Sequence, residues 1–354
     1  MLLLALACTP LTSSTPTDEP APPLFPADAL DFVETGSALI EGLAQGAADL
    51  DGDGDEEIFG SDLERILVWD FADGLQPART FSDPLNELLG VESAHIHQID
   101  AADLDGDGQA EFVLSVRIST NDEVRYALVE LGQQSEMSVL AEDRFLAFNL
   151  IADLDGDQLP ELVIYGQEES TIEFSDGSAI WLPPEFGYAF FPHAVSVPEG
   201  ALLFPDNGCG SSRSWLISTD GEILAEHDLD IYDAPLTDGG PTQLATEVLV
   251  QSNGLYRYVD GEFLPIELDG STPLSVGQFD AAEGADLLSR GAEDIFGYVS
   301  DQGELTAVPV AGLHQNTWGA QSADLNGDGL DDLVTTEYTQ DGTLIRVFEN
   351  RSRQ

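Results

Sequence analysis

The sequence predicts an all-β fold, a closed ring of seven four-stranded antiparallel sheets. Three observations predict it. An acidic nine-residue loop occurs four times. Short β-favouring runs and tight-turn dipeptides alternate between its copies. The spacing of the copies leaves room for three more units of similar length.

The loop begins as Asp49-Leu50-Asp51-Gly52-Asp53-Gly54-Asp55-Glu56-Glu57 and returns as Asp103–Glu111, Asp153–Glu161 and Asp324–Asp332. Oxygen side chains stand at positions 1, 3 and 5. They are Asp49, Asp51 and Asp53, then Asp103, Asp105 and Asp107, then Asp153, Asp155 and Asp157, and last Asp324, Asn326 and Asp328. An acid stands at position 9 (Glu57, Glu111, Glu161, Asp332). Position 7 varies (Asp55, Gln109, Leu159, Leu330) because its backbone carbonyl is the expected ligand. Glycine at position 6 supplies the left-handed backbone that turns the chain sharply back. In the third copy Gln158 takes its place, at a cost of roughly 1 kcal/mol. Oxygens in this array suit Ca²⁺, a hard cation with a flexible shell of roughly six to eight of them. The expectation is three to four calcium ions.

The loop type follows from what comes after it. An EF-hand needs glutamate at position 12 and a helix beyond. Position 12 here is Gly60, Leu114, Ile164 or Thr335, and β-favouring apolar residues follow the acid at once, so each loop feeds a strand. Cysteine-rich calcium repeats are excluded by a count of two cysteines. The motif resembles the FG-GAP/VCBS repeat of integrin-α-like β-propellers, specifically in the four loops and more weakly over residues 28–350. The resemblance implies a β-propeller whose calcium ions are structural, with the loops on the face opposite the ligand surface.

Counting units gives the number of sheets. The loops start at 49, 103 and 153, and the gap to 324 accommodates four steps of about 43 residues, a propeller blade each. Worn copies fill it. Val197–Phe204 reads as a shortened loop with its strand, Gly239–Glu247 keeps an acid before Val248-Leu249-Val250, and Gln278–Leu288 keeps Asp280 and Asp286. After each loop the order is strand, turn, strand, turn, strand. Asn253-Gly254, Asp260-Gly261, Asp176-Gly177, Asp220-Gly221 and Asp341-Gly342 supply the hairpin turns. The last unit is one strand short, and Asp31-Phe32-Val33-Glu34 precedes the first loop as an orphan strand. The two are expected to join, completing the seventh blade and closing the ring.

Residues 1–7 read as the apolar part of a secretory signal. Ala5-Leu6-Ala7-Cys8 is similar to a bacterial lipobox, with Cys8 the lipidated residue. The Thr-, Ser- and Pro-rich stretch through residue 27 reads as a tether. The expected location is the outer membrane or cell surface, or otherwise a secreted or periplasmic one, with membrane contact only through the lipid. Sixty-seven acids against eleven arginines and no lysine give a formal charge of −56, which excludes nucleic acid as a partner. Eighteen of those acids lie in the four loops, so most of the charge is a dispersed acidic surface that favours a soluble monomer.

Two stretches break the rhythm and are candidates for a ligand surface: Trp181, Phe186 and Tyr188 in one, and Asn207, Arg213 and Trp215 in the other. Packing between blades is the alternative for their aromatic residues. His95 and His97, with His193 and His314, could line a central channel or hold a transition metal; polar channel lining is the expected role. No nucleophile-elbow sequence occurs, and no catalytic residue is assigned. The expected function is a non-enzymatic surface module for a protein or glycan ligand, used in binding, adhesion or scaffolding. The alternative is an extracellular polysaccharide lyase or glycosidase built on the same fold.

Overall fold

Tight-turn dipeptides between short apolar runs leave the chain hairpin connections, and the computed structural model is built of them. It describes residues 30–40, 42–71, 76–80, 85–120, 123–132, 137–167, 169–182, 193–204, 213–228, 235–237, 248–251, 255–259, 261–268, 272–280, 286–291, 294–301, 304–313, 320–339 and 342–352. The signal, Cys8, the tether, Phe186, Tyr188, Asn207, His314 and the worn loop at 239–247 lie outside them.

The first strand, β1 (Leu30–Ile40), belongs to the last sheet. Five sheets are four-stranded antiparallel meanders in chain order. The first comprises β2 (Leu43–Ala48), β3 (Glu57–Ser61), β4 (Ile66–Asp70) and β5 (Gln76–Thr80). A short helix, α1 (Leu85–Leu88), precedes the second, which comprises β6 (Ala94–Ala102), β7 (Glu111–Ser119), β8 (Val124–Leu131) and β9 (Met137–Asp143). The third comprises β10 (Leu146–Ile151), β11 (Glu161–Gly166), β12 (Ser170–Glu173) and β13 (Ala179–Trp181). The fourth comprises β14 (His193–Val197), β15 (Gly200–Phe204), β16 (Arg213–Ile217) and β17 (Ile223–Asp228). The fifth comprises β18 (Pro235–Thr237), β19 (Val248–Gln251), β20 (Leu255–Val259) and β21 (Glu262–Ile266).

The remaining strands form one eight-stranded sheet made of two meanders. One is β22 (Thr272–Gly277), β23 (Asp286–Arg290), β24 (Ile295–Asp301) and β25 (Glu304–Ala311). The other is β26 (Ala320–Ala323), β27 (Asp332–Thr339) and β28 (Gly342–Asn350), with β1 as its fourth strand. β1 runs antiparallel to β28 from Phe32↔Asn350 to Ile40↔Thr343. It pairs in parallel with β25 at Leu30↔Val310 and Asp31↔Ala311. The orphan strand at 31–34 thus finds the expected partner, although it is longer than the sequence suggested and also touches the preceding meander. The helix α1 was not expected; Leu85 inside it is buried.

The first strands of successive meanders lie side by side: β2 on β6, then β10, β14, β18, β22 and β26, which returns to β2. Each pair of neighbouring meanders shares a hydrophobic cluster. Phe59 meets Phe112 edge-to-face across the first junction, with ring centroids 5.5 Å apart. Because both faces of a sheet are covered, second strands such as β11 and β15 are buried along their whole length. Their sequences, Glu161-Leu-Val-Ile-Tyr-Gly and Gly200-Ala-Leu-Leu-Phe, are therefore apolar runs rather than alternating ones.

Candidate metal centres

Each acidic loop joins the first strand of a meander to its second, and its own carboxylates fold it. In the second loop, Asp103 Oδ1 accepts from Gly106 N (2.7 Å) and Asp103 Oδ2 from Gly108 N (2.9 Å). Asp105 Oδ1 accepts from Asp107 N (3.1 Å), and Asp107 Oδ1 from Gln109 N (2.9 Å). The same bonds recur at Asp49, Asp51 and Asp53 and at Asp153, Asp155 and Asp157. In the fourth loop, Gly329 N, Asp328 N and Leu330 N donate to Asp324, Asn326 and Asp328. Position 6 has the required positive φ in every copy: 96° at Gly54, 87° at Gly108, 83° at Gly329 and 76° at Gln158.

The acid at position 9 turns back under the loop. Glu57, Glu111 and Glu161 accept from the amides of Leu50 (2.9 Å), Leu104 (2.9 Å) and Leu154 (2.7 Å) at position 2. Asp332, one methylene shorter, accepts from Asn350 N instead (2.7 Å), and its Oδ2 is buried without a hydrogen-bond partner. Burial pushes these carboxyls up, to about 7 at Glu57, Glu111 and Asp332 and about 8 at Glu161. The accepted amide opposes the shift, and the neighbouring loop carboxylates reinforce it.

Carboxylate oxygens converge as a result. Those of Asp153, Asp155, Asp157 and Glu161 lie within 4.8 Å of one another, as do those of Asp49, Asp51 and Asp53 and those of Asp103, Asp105 and Glu111. All are hard oxygen donors, and the set fits a calcium-sized cation. Among the described residues none of these converging groups includes a histidine. The register of β6 shifts between Ile96 and Gln98, so strict alternation does not carry His95 and His97 onto one face. The His97 ring packs edge-on against Tyr126 and Phe145.

The ligand-surface candidates separate. Trp181 is 64% exposed at the end of β13. Trp215 is only 8% exposed, because it fills the cluster between the third and fourth sheets with Tyr165 and Leu203. That corrects its assignment to a surface. Arg213 lies in β16, in register with Asp228.

Position 8, whose residue type varies from copy to copy, ties loops together. Ala110 N donates to Asp49 O (3.0 Å), and Glu56 N to Asp324 O (3.1 Å). Asp331 N donates to Gln278 O (2.8 Å) in the worn copy. The acidic side chains at this position return a bond: Glu56 Oε2 accepts from Asp324 N (3.0 Å) and Asp331 Oδ2 from Gln278 N (2.9 Å). A legible signal existed at one copy, where position 8 is Pro160 and has no N–H to give.

The sequence profile of the FG-GAP-like repeat matches residues 47–114, a span that holds the first two loops and strands β3 to β6. No curated protein matches the chain. Among solved structures, BBS1N in its complex with ARL6DN is similar at 13% identity with a TM-score of 0.56, covering 91% of this chain and 98% of that one. A streptogramin B lyase is similar at 11% identity and a TM-score of 0.50, covering 91% and 97%. A catalytically inactive virginiamycin B lyase from Staphylococcus aureus, with quinupristin, is similar at 12% and 0.50, covering 90% and 99%. At such identities the likeness carries the fold alone. The molecule is an all-β, propeller-type protein of four-stranded antiparallel sheets, and it carries an FG-GAP-like repeat.

Proposed function

We propose that the protein is a seven-bladed, calcium-stabilised β-propeller, exported and lipid-anchored at Cys8, that serves as a non-enzymatic binding or scaffold module for a protein or glycan ligand. The observation that carries the calcium reading is the convergence of three or four carboxylates in loops whose amides are already satisfied. Charges so close repel one another, and a divalent cation removes that cost. The unpartnered, buried Oδ2 of Asp332 supports a cation at the fourth loop too. Calcium then holds each first-to-second strand junction of four neighbouring blades in place. Ligand recognition falls to other surfaces, with exposed Trp181 on the outer edge of the third sheet as a candidate contact.

Metal analysis combined with thermal melting tests this reading. The purified protein should carry three to four equivalents of calcium, and chelation should lower Tm by several degrees. With free Ca²⁺ at 100 times Kd, each occupied site adds about 2.7 kcal/mol to the folded state. A protein free of calcium whose melting ignores both chelator and added Ca²⁺ would overturn it.

A further inference from the structure

The bonds at position 8 differ from junction to junction. Between the fourth loop and the first there are two, Glu56 N to Asp324 O and Asp324 N to Glu56 Oε2. Between the first and second, Ala110 N donates to Asp49 O. Between the second and third, Pro160 has no amide hydrogen to donate, and Leu159 only touches the site of Gly106, where an added Cβ would lie 3.3 Å from it. The loops nonetheless stack in one register. Position 4 of three loops abuts position 7 of the next, Gly327 against Asp55, Gly52 against Gln109, and Gly106 against Leu159.

We propose that position 8 couples cation binding between neighbouring loops, so that the loops at 324–332, 49–57 and 103–111 fill cooperatively while the loop at 153–161 fills independently. This rests on the calcium reading above. On that reading the carbonyl of position 7 is a ligand, and it belongs to the same peptide group as the N–H of position 8. Drawing electron density toward a cation at the oxygen makes that N–H a stronger donor, as chains of hydrogen bonds polarise one another. Its acceptor is the carbonyl of position 1 in the preceding loop, the residue whose carboxylate organises that loop. A cation in one loop therefore stiffens the first ligand of its neighbour, and linkage makes the effect mutual. The upper bound is the whole net worth of one hydrogen bond, roughly two- to tenfold in affinity, of which polarising an existing bond supplies a fraction. Pro160 breaks the relay.

Calorimetric titration of the full-length, calcium-stripped protein with CaCl₂ tests the coupling, using Ala110→Pro and Pro160→Ala as reciprocal changes. The parent should show a cooperative phase of three ions and a separate phase of one. Pro160→Ala restores the missing donor and should merge the two phases into a single cooperative one. Ala110→Pro should shrink the cooperative phase to two ions, with its fold checked by circular dichroism in chelator. If that variant fails to fold, Pro160→Ala decides alone. Unchanged stoichiometry with independent sites in all three proteins would overturn the coupling and leave the calcium reading intact. The absence of any calcium binding would overturn both.

Discussion

The two arcs of the ring treat one strand junction differently. In the sheets of β2–β13 and β26–β28, a nine-residue acidic loop joins the first strand to the second. In the fourth sheet the same junction is a tight turn through Pro198 and Glu199. The sheet of β22–β25 lies between these extremes. It lacks acids at positions 1 and 5, yet Asp286 still accepts from the amides of Phe279 and Asp280, both at 2.8 Å. The buried clasp at position 9 thus outlives the acids at positions 1 and 5 above it. Position 9 therefore has a structural task that needs no ion, while on the proposed reading positions 1, 3 and 5 serve the cation.

The largest effect should come from the strand that joins the two arcs. β1 pairs with β25 on the loop-poor side and with β28 on the loop-rich side, and it buries Leu30 and Phe32 fully. Loss of two such side chains alone costs roughly 5–10 kcal/mol, comparable to the whole stability of a domain. A chain lacking residues 1–40 should lose cooperative melting or drop in Tm by roughly 10 °C or more, relative to one lacking residues 1–29. Equal melting of the two would show that the pairing does not hold the ring.

Next in size is the contrast between clasp and cage. Asp286→Ala strands the buried amide of Phe279 and the half-buried amide of Asp280 and should cost roughly 1–4 kcal/mol, with or without calcium. Asp105 is exposed, so Asp105→Ala should change melting in chelator by no more than about 0.5 kcal/mol. It should nevertheless forfeit part of the stabilisation that calcium brings. A calcium-dependent cost at Asp286, or a calcium-independent one at Asp105, would erase the distinction drawn above.

The position-9 acids also set a pH dependence. In the cation-free fold Glu161 titrates near about 8 and Glu57 and Glu111 near about 7, against 4.5 for the free side chain. The folded state therefore binds protons more tightly than the unfolded one. Their contribution is fully present below about pH 4.5 and is lost as pH rises toward about 8. In chelator, Tm should fall across that interval. With calcium holding the acids ionised, the fall should flatten or reverse. A chelated protein that melts higher at pH 8 than at pH 5.5 would contradict the assignment.

The loops were legible because oxygen-bearing residues recur in them at fixed spacing, with glycine where φ is positive. Gly54, Gly108 and Gly329 adopt the conformations read from their positions. The partner of β1 was legible by counting, since the last unit lacked one strand. The bonds of Ala110 and Asp331 were not, because a backbone N–H belongs to every residue type except proline. Burial of Trp215 was equally silent, since an aromatic beside a polar loop reads alike whether a neighbouring sheet covers it or not. The parallel pairing of Leu30 and Asp31 depends on two residues and leaves no periodic trace.

The smallest effect separates the third loop from its fellows. Gln158 holds φ at 76°, a backbone region that costs a side chain roughly 1 kcal/mol and a glycine almost nothing. Its amide donates to Asp153 Oδ2 at 2.9 Å, the bond Gly54 and Gly108 make to Asp49 and Asp103, so a glycine there keeps every contact of the backbone. Glycine also loosens the unfolded chain, which offsets part of the relief. Gln158→Gly should therefore raise stability by no more than about 1 kcal/mol in chelator and bring the third loop's calcium affinity closer to that of the second. A loss of stability of similar size would mean that the glutamine side chain contributes to the loop something its strained backbone conceals.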